Sequence, residues 1–298
     1  MELGTNMPFE KILDLPSSVK KTAEAGFKYI DFDLTREAGF QGGDEEAYFR
    51  DLHEKISACG VTLYQAHAPY IRFNSSDPAD LENPEYFESH IRAIRRAKWL
   101  HVSYLVYHPY IPYGKDKETT AYDYGVFAEE NFKRNLRFFL KLKPYLQEAG
   151  IRGAIENLYA YDWTKRMVVP SSCSTSKELR ALIEAAGDDV YCACLDVGHL
   201  NLLQGESVGE CIEYLGKHLQ ALHLSDNFGA QNDWFGELDR HLPPFFGCVD
   251  WKQTVAALKK IGYKGVFNFE LNPYGPIEML EKTNRYVYET GKYMLENY

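Results

Sequence analysis

The stretch YCACLDVGHLNLLQGE, Tyr191 to Glu206, decides how the chain is read. It starts apolar and β-prone, reaches Asp196, turns at Gly198 and arrives at His199. An apolar run that ends on a polar turn, followed by a helical pattern at 207–218, makes one βα unit. Repeated units of this kind build a parallel sheet.

The same alternation extends in both directions. Eight runs read as strands: MELGTN (1–6), the weakest, then YIDFDL (29–34), TLYQAH (62–67), YLVYH (104–108), RGAIE (152–156), YCACLD (191–196), LQALHL (219–224) and GVFNFE (265–270). Helical patterns fall at 16–25, 44–59, 83–99, 124–148, 175–186, 207–218, 250–261 and 275–296. Gly26, Gly60, Gly150 and Gly262 each stand between a helical run and a strand, where a left-handed C-cap belongs. Pro, Gly and Ser gather only in loops such as NSSDPADLENPE (74–85) and VVPSSCSTS (168–176), so no linker divides the chain. The expectation is a single (β/α)8 barrel over residues 1–298, favoured over a doubly wound open sheet or two domains.

Composition agrees with a globular enzyme. The 298 residues are 45% hydrophobic and 26% charged, an ordinary balance, and 14% aromatic with 22 tyrosines, which suits a ring-lined polar cleft as well as a plain core and surface. A net charge of -10 disfavours a broad electrostatic grip on nucleic acid or an anionic membrane. MELGTNMPFE has neither a basic nor an apolar leader region, and no run is apolar enough to span a bilayer, so a cytoplasmic protein is expected. Cys59, Cys173, Cys192, Cys194, Cys211 and Cys248 contain no C-x-x-C pair, which makes reduced thiols the expectation and a cysteine zinc site unfavoured.

Asp196 is one of a class defined by position. His67, His108, Glu156, Asp196, His223 and Glu270 all close apolar strands, at the end where barrel enzymes gather their chemistry. Strand periodicity adds a check, because the residue two places earlier points the same way. Ala154, Cys194, Ala221 and Asn268, small or polar, precede Glu156, Asp196, His223 and Glu270, while Ile155, Leu195, Leu222 and Phe269 face the helices. Taken singly, such an aspartate is a helix cap and such a histidine a hydrogen-bonded bystander. Together, three carboxylates on one rim repel unless a cation compensates them, so a divalent metal is expected: Mn²⁺, Mg²⁺ or Zn²⁺.

In their order along the chain, QAHAPY, VYHPY, AIENLY, CLDVGHLN, LHLSDN, LDRHLPP and NFELNP resemble the xylose isomerase-like TIM barrel superfamily, which includes sugar phosphate isomerases, ketose 3-epimerases, inosose dehydratases and the endonuclease IV group. The ketose epimerase resemblance implies that Glu156, Asp196, His223 and Glu270 hold one metal, that Glu156 and Glu270 also move protons, and that His199 lies beside the substrate. The endonuclease IV resemblance adds His67, His108, His199, Asp239 and His241 as ligands of further zinc, and places Tyr70 where a DNA-inserting tyrosine sits. The chain departs from a glycine-rich turn at HLPPFFGCVDW, where Phe245 and Phe246 are expected to wall the pocket.

The function expected is a divalent-metal-dependent isomerase or epimerase of a sugar or sugar phosphate, working through an enediolate with Glu156 and Glu270 as acid and base. His199, Asn157 and Phe246 are the candidate substrate contacts. An endonuclease IV-like zinc phosphodiesterase is disfavoured by the acidic loop TREAGFQGGDEEA (35–47), and an inosose dehydratase-like lyase uses the same site. A non-catalytic sugar binder does not need clustered carboxylates. Arg72, Lys165, Arg166 and Arg240 are candidates for a substrate phosphate by loop position. The partner expected is a small carbohydrate rather than a nucleic acid or membrane, with self-association into a homo-oligomer admissible.

Overall fold

The computed structural model describes residues 1–6, 14–34, 40–70, 83–110, 124–162, 166–203, 205–230, 238–273 and 275–298. Eight parallel strands form the barrel wall: β1 (Glu2–Asn6), β2 (Tyr29–Asp33), β3 (Thr62–His67), β4 (Tyr104–Tyr107), β5 (Arg152–Glu156), β8 (Tyr191–Asp196), β9 (Leu219–His223) and β10 (Val266–Phe269). Their order is β10-β1-β2-β3-β4-β5-β8-β9. The ring closes where Leu224 N–H donates to Asn268 O at 2.9 Å and Glu270 N–H to Leu224 O at 3.0 Å. The fold is therefore a single (β/α)8 barrel, as expected.

The helices are α1 (Leu15–Glu24), α2 (Glu45–Ala58), α3 (Pro84–Trp99), α4 (Tyr124–Ala149), α5 (Ser176–Ala186), α6 (Val197–Leu202), α7 (Val208–Leu215), α8 (Trp251–Lys260) and α9 (Ile277–Asn297). Asp14, Asp44, Asn83, Thr175, Asp196, Ser207 and Asp250 cap the N-termini of α1, α2, α3, α5, α6, α7 and α8, each accepting a main-chain N–H. Gly26, Gly60, Gly150 and Gly262 all have positive φ, 69° to 114°, and so stop their helices as anticipated. Two elements were not expected: the antiparallel hairpin β6 (Tyr159–Asp162) and β7 (Met167–Pro170), and the short helix α6. None of the described helices is long and apolar enough to cross a membrane, and the cysteines are all free.

Strand alternation divides the core in two. Ile155, Leu195, Leu222 and Phe269 join the large cluster between sheet and helices, whereas Val106, Ala154, Cys192, Cys194 and Ala221 form a small separate cluster inside the wall. These inner residues are small, which leaves room for polar side chains above them. Gly4 serves the same end. A Cβ at Gly4 would lie 2.6 Å from Val266 Cγ1 and 2.9 Å from Asn268 Oδ1, so the missing side chain makes space for the Asn268 amide. Gly4→Ala is expected to lower stability by about 1–3 kcal/mol, the usual cost of overpacking, seen as a lower denaturant midpoint. An unchanged midpoint would mean that the wall yields around the added methyl.

Candidate functional site at the barrel mouth

Sheet register assembles the site. Glu156 pairs with Cys194 across β5 and β8, Asp196 pairs with His223 across β8 and β9, and Glu270 follows β10 at the closing seam. One ligand atom from each of Glu156, Asp196, His223 and Glu270 lies within 4.8 Å of all the others. The same holds for His67, His108 and Glu156, and for Asp196, His199 and His241. These side chains gather at one end of the barrel, with Asp239 joined to His199 and His241 through its Oδ2 at 3.2 and 3.0 Å.

Each imidazole is oriented by a definite partner. Nδ1 of His67, His199 and His241 lies 2.8, 2.9 and 3.0 Å from the main-chain oxygens of Ala68, Asn157 and Glu270. A carbonyl can only accept, so these rings carry their proton on Nδ1 and turn Nε2 into the cleft. His223 is reversed: Nε2 faces Asp31 Oδ2 at 2.9 Å, and Nδ1 faces Glu156 Oε1 at 3.1 Å and Glu270 Oε2 at 3.2 Å.

The carboxylates are not all satisfied. Asp196 Oδ1 accepts the His199 N–H at 2.7 Å as the cap of α6, but its Oδ2 is buried without a hydrogen bond. Glu156 Oε2 is buried too and makes no hydrogen bond of acceptable geometry, although His108 Nε2 lies 3.1 Å away. Asp239 Oδ1 is a third such atom. Buried carboxylate oxygens without hydrogen bonds are costly, and a cation is a group that would relieve them.

Burial and mutual charge shift the protonation equilibria. Burial raises Asp196 to about 6 despite His199 and His241 beside it. Burial opposes the charged form of His199, but Asp196, Asp239 and Glu156 outweigh it and raise its pKa to about 10. For Glu156 burial is likewise overcome, here by His223 and His108, which hold it well below the usual range. His108 falls, because burial outweighs the attraction of Glu156.

Asn157 turns away from the cleft. Asn157 is 2% exposed, and both ends of its amide hold the Asp196 main chain, at 2.7 and 2.9 Å, so it fixes Asp196 rather than presenting itself to the cleft. Phe246 is 57% exposed with its ring against Tyr286 of α9, and Phe245 packs toward Trp251 of α8. Tyr70 does reach the site, its ring 4.8 Å from that of His67 and 4.6 Å from that of His108. Arg166 is exposed, and Arg240 lies over Phe228. Arg72 and Lys165 fall outside the described residues. Sequence reasoning missed Asp31, buried beneath His223, and Tyr159, whose ring meets that of His199 at 5.3 Å. The available signal for Asp31 was the alternation of Asp31 and Asp33 with Ile30 and Phe32 in YIDFDL.

Comparison with known proteins places this arrangement. A family model described as xylose isomerase-like TIM barrel matches residues 19–290. The chain spans about two fifths of the length of the curated relatives it matches. One of these, mannonate dehydratase from Oceanobacillus iheyensis, is 30% identical over 157 residues, which is 51% of this chain and 43% of that one. Among solved structures, D-psicose 3-epimerase from Clostridium cellulolyticum H10 superposes with a TM-score of 0.76 at 18% identity, covering 99% of both chains. The IOLI protein with a bound zinc atom gives 0.75 at 18% identity, covering 100% of this chain and 99% of that one.

In the metal-free protein, His199 contributes stability that is fully present below its ordinary pKa of 6.5 and is lost as the pH rises through about 10. Asp239→Asn removes one of the carboxylates responsible. The His199 resonance, followed by NMR, is expected to titrate below about 10 in that variant. An unmoved titration would assign the effect to Asp196 and Glu156.

Proposed function

The chain belongs to the xylose isomerase-like TIM barrel family, and from that premise we propose that it is a divalent-metal-dependent isomerase or epimerase of a small sugar or sugar phosphate. The observation that carries this reading is the convergence of Glu156, Asp196, His223 and Glu270. The donor set fits a cation: three carboxylates, two of them with a buried oxygen that makes no hydrogen bond, and one imidazole whose Nδ1 faces inward. Mn²⁺, Mg²⁺ and Zn²⁺ all suit such ligands. The zinc in the IOLI structure and the epimerase neighbours support the same view. The whole chain is read as one domain of this kind.

When bound, the ion supplies Lewis-acid stabilisation of the negative charge that develops on adjacent substrate oxygens. The chain's own groups do the rest. Glu156 and Glu270 rise from separate strands, so one takes a proton from carbon and the other returns it from a different direction. His199 turns Nε2 toward the cleft and orients a hydroxyl, with Asp239 holding the ring. Tyr70 and Tyr159 supply walls beside the imidazoles.

A dehydratase reading is favoured by the likeness to mannonate dehydratase. It uses the same base, with loss of a β-hydroxide in place of reprotonation. The groups His67–His108–Glu156 and Asp196–His199–His241 favour a multi-zinc phosphodiesterase, but a net charge of -10 disfavours a grip on DNA.

The test is incubation of metal-loaded protein with ketoses, their phosphates and sugar acids in heavy water, and separately with an abasic duplex at low salt. Deuterium is expected to enter a ketose, with at least about a hundredfold loss of exchange in Glu270→Gln, the scale of general acid–base catalysis. Elimination without exchange into recovered substrate or isomer supports the dehydratase, and strand cleavage without exchange the phosphodiesterase. Protons compete with a cation for Asp196, so metal affinity measured by calorimetry is expected to weaken as the pH falls through about 6. Affinity that is flat across that range would remove Asp196 from the ligand set.

A further inference from the structure

Asp31 is 5% exposed and sits inside the wall on β2, away from the strand ends that carry the ligand-type residues. Its Oδ2 is 2.8 Å from Gln65 Nε2, 2.9 Å from His223 Nε2 and 3.2 Å from Asn268 Nδ2. The main chain fixes which of these atoms donate. Gln65 Nε2 and Asn268 Nδ2 also lie 3.2 and 3.3 Å from the Leu222 carbonyl. That carbonyl can only accept, which turns both amide nitrogens toward it and toward Asp31. Asp31 Oδ2 is therefore an acceptor, and His223 Nε2 must donate to it.

A neutral His223 then has its lone pair on Nδ1, the atom that faces Glu156 and Glu270. We propose that Asp31 is a positioning residue for the metal site: by accepting the Nε2 proton it fixes the tautomer and ring orientation in which His223 Nδ1 ligates. This inference rests on the metal-dependent reading of Glu156, Asp196, His223 and Glu270. His67, His199 and His241 have main-chain carbonyls in the corresponding role. Among these four, His223 is the one whose ring nitrogen turned away from the cleft meets a carboxylate in place of a main-chain carbonyl, which also makes the imidazole a stronger donor to a cation. Gln65 and Asn268 complete the device by holding Asp31 in place, and Gly4 makes the room for Asn268.

Zinc, which is diamagnetic, serves as the probe. Affinity is measured by chelator competition on wild type and Asp31→Asn, and the His223 ring nitrogens are observed by ¹⁵N NMR in zinc-loaded wild type, assigned by their loss in His223→Gln. The expected result is a proton on Nε2 and none on Nδ1 in wild type, with zinc binding about 10- to 100-fold weaker in a folded Asp31→Asn. A purely structural role would lower the melting temperature and leave the zinc affinity of the folded variant at the wild-type value, which would overturn the proposal. The NMR result stands even if the variant does not fold: a His223 proton on Nδ1 overturns the proposal by itself. No zinc uptake by wild type would instead overturn the metal-dependent reading on which the proposal rests.

Discussion

Negative charge held out of water is the constraint on which the rest of this structure depends. Glu156 and Asp196 are buried at the mouth of the barrel, with Glu270 and Asp239 partly covered beside them. Such a group remains ionised only when positive charge or hydrogen-bond donors replace the lost water. In the metal-free chain the imidazoles provide it, which is why His199, His223 and His241 all bind protons more tightly than an ordinary histidine, in spite of burial. A divalent ion would answer the same need and displace those protons. On the proposed reading His223 would then have two tasks that exclude one another, as a counterion without a metal and as a neutral ligand with one.

Keeping so many polar groups at one end requires space, and the barrel interior supplies it by using small residues. Ala154, Cys194 and Ala221 lie directly below Glu156, Asp196 and His223 on their own strands. On the other side of the ring the interior is polar instead: Asp31, Gln65 and Asn268 are nearly inaccessible to solvent and bond to one another. The lower layer thus combines a filler on one side with a hydrogen-bonded support on the other. The support lies under His223, the one barrel-strand imidazole whose cleft-facing atom is Nδ1.

Much of this was legible in the sequence, and the reasons can be given residue by residue. The eight strands were readable because glycines with positive φ end the preceding helices and apolar alternation marks the wall. The main ligand-type residues were readable because they close those strands. Asp31 escaped because it lies within a strand, so a rule about strand ends does not reach it. Asn157 was misplaced because its position next to Glu156 says nothing about where its amide turns; the neighbouring Asp196 main chain decides that. The motif around Phe246 likewise does not show that its ring has Tyr286 of the C-terminal helix as a partner. The hairpin of β6 and β7 was hidden by its Tyr, Asp and Pro content, which looks like loop composition until the two short runs are paired.

Asp196 combines two roles that are usually separate. As an aspartate after a strand it is a helix cap, and Oδ1 does bond the N–H of His199. The bond also settles which way the other oxygen points, because a carboxylate pinned through one atom has little freedom left in the other. Oδ2 is then held buried without a hydrogen bond, in a carboxylate that lies beside Glu156, His223 and Glu270. Gly198 follows from the same geometry, since a Cβ there would lie 2.5 Å from Ser225 Oγ and 3.1 Å from Asp196 Oδ1. The cap and the candidate ligand are thus one arrangement: the turn that starts α6 aims the free oxygen, and the sequence D-V-G-H carries the aspartate, the space and the histidine that this requires.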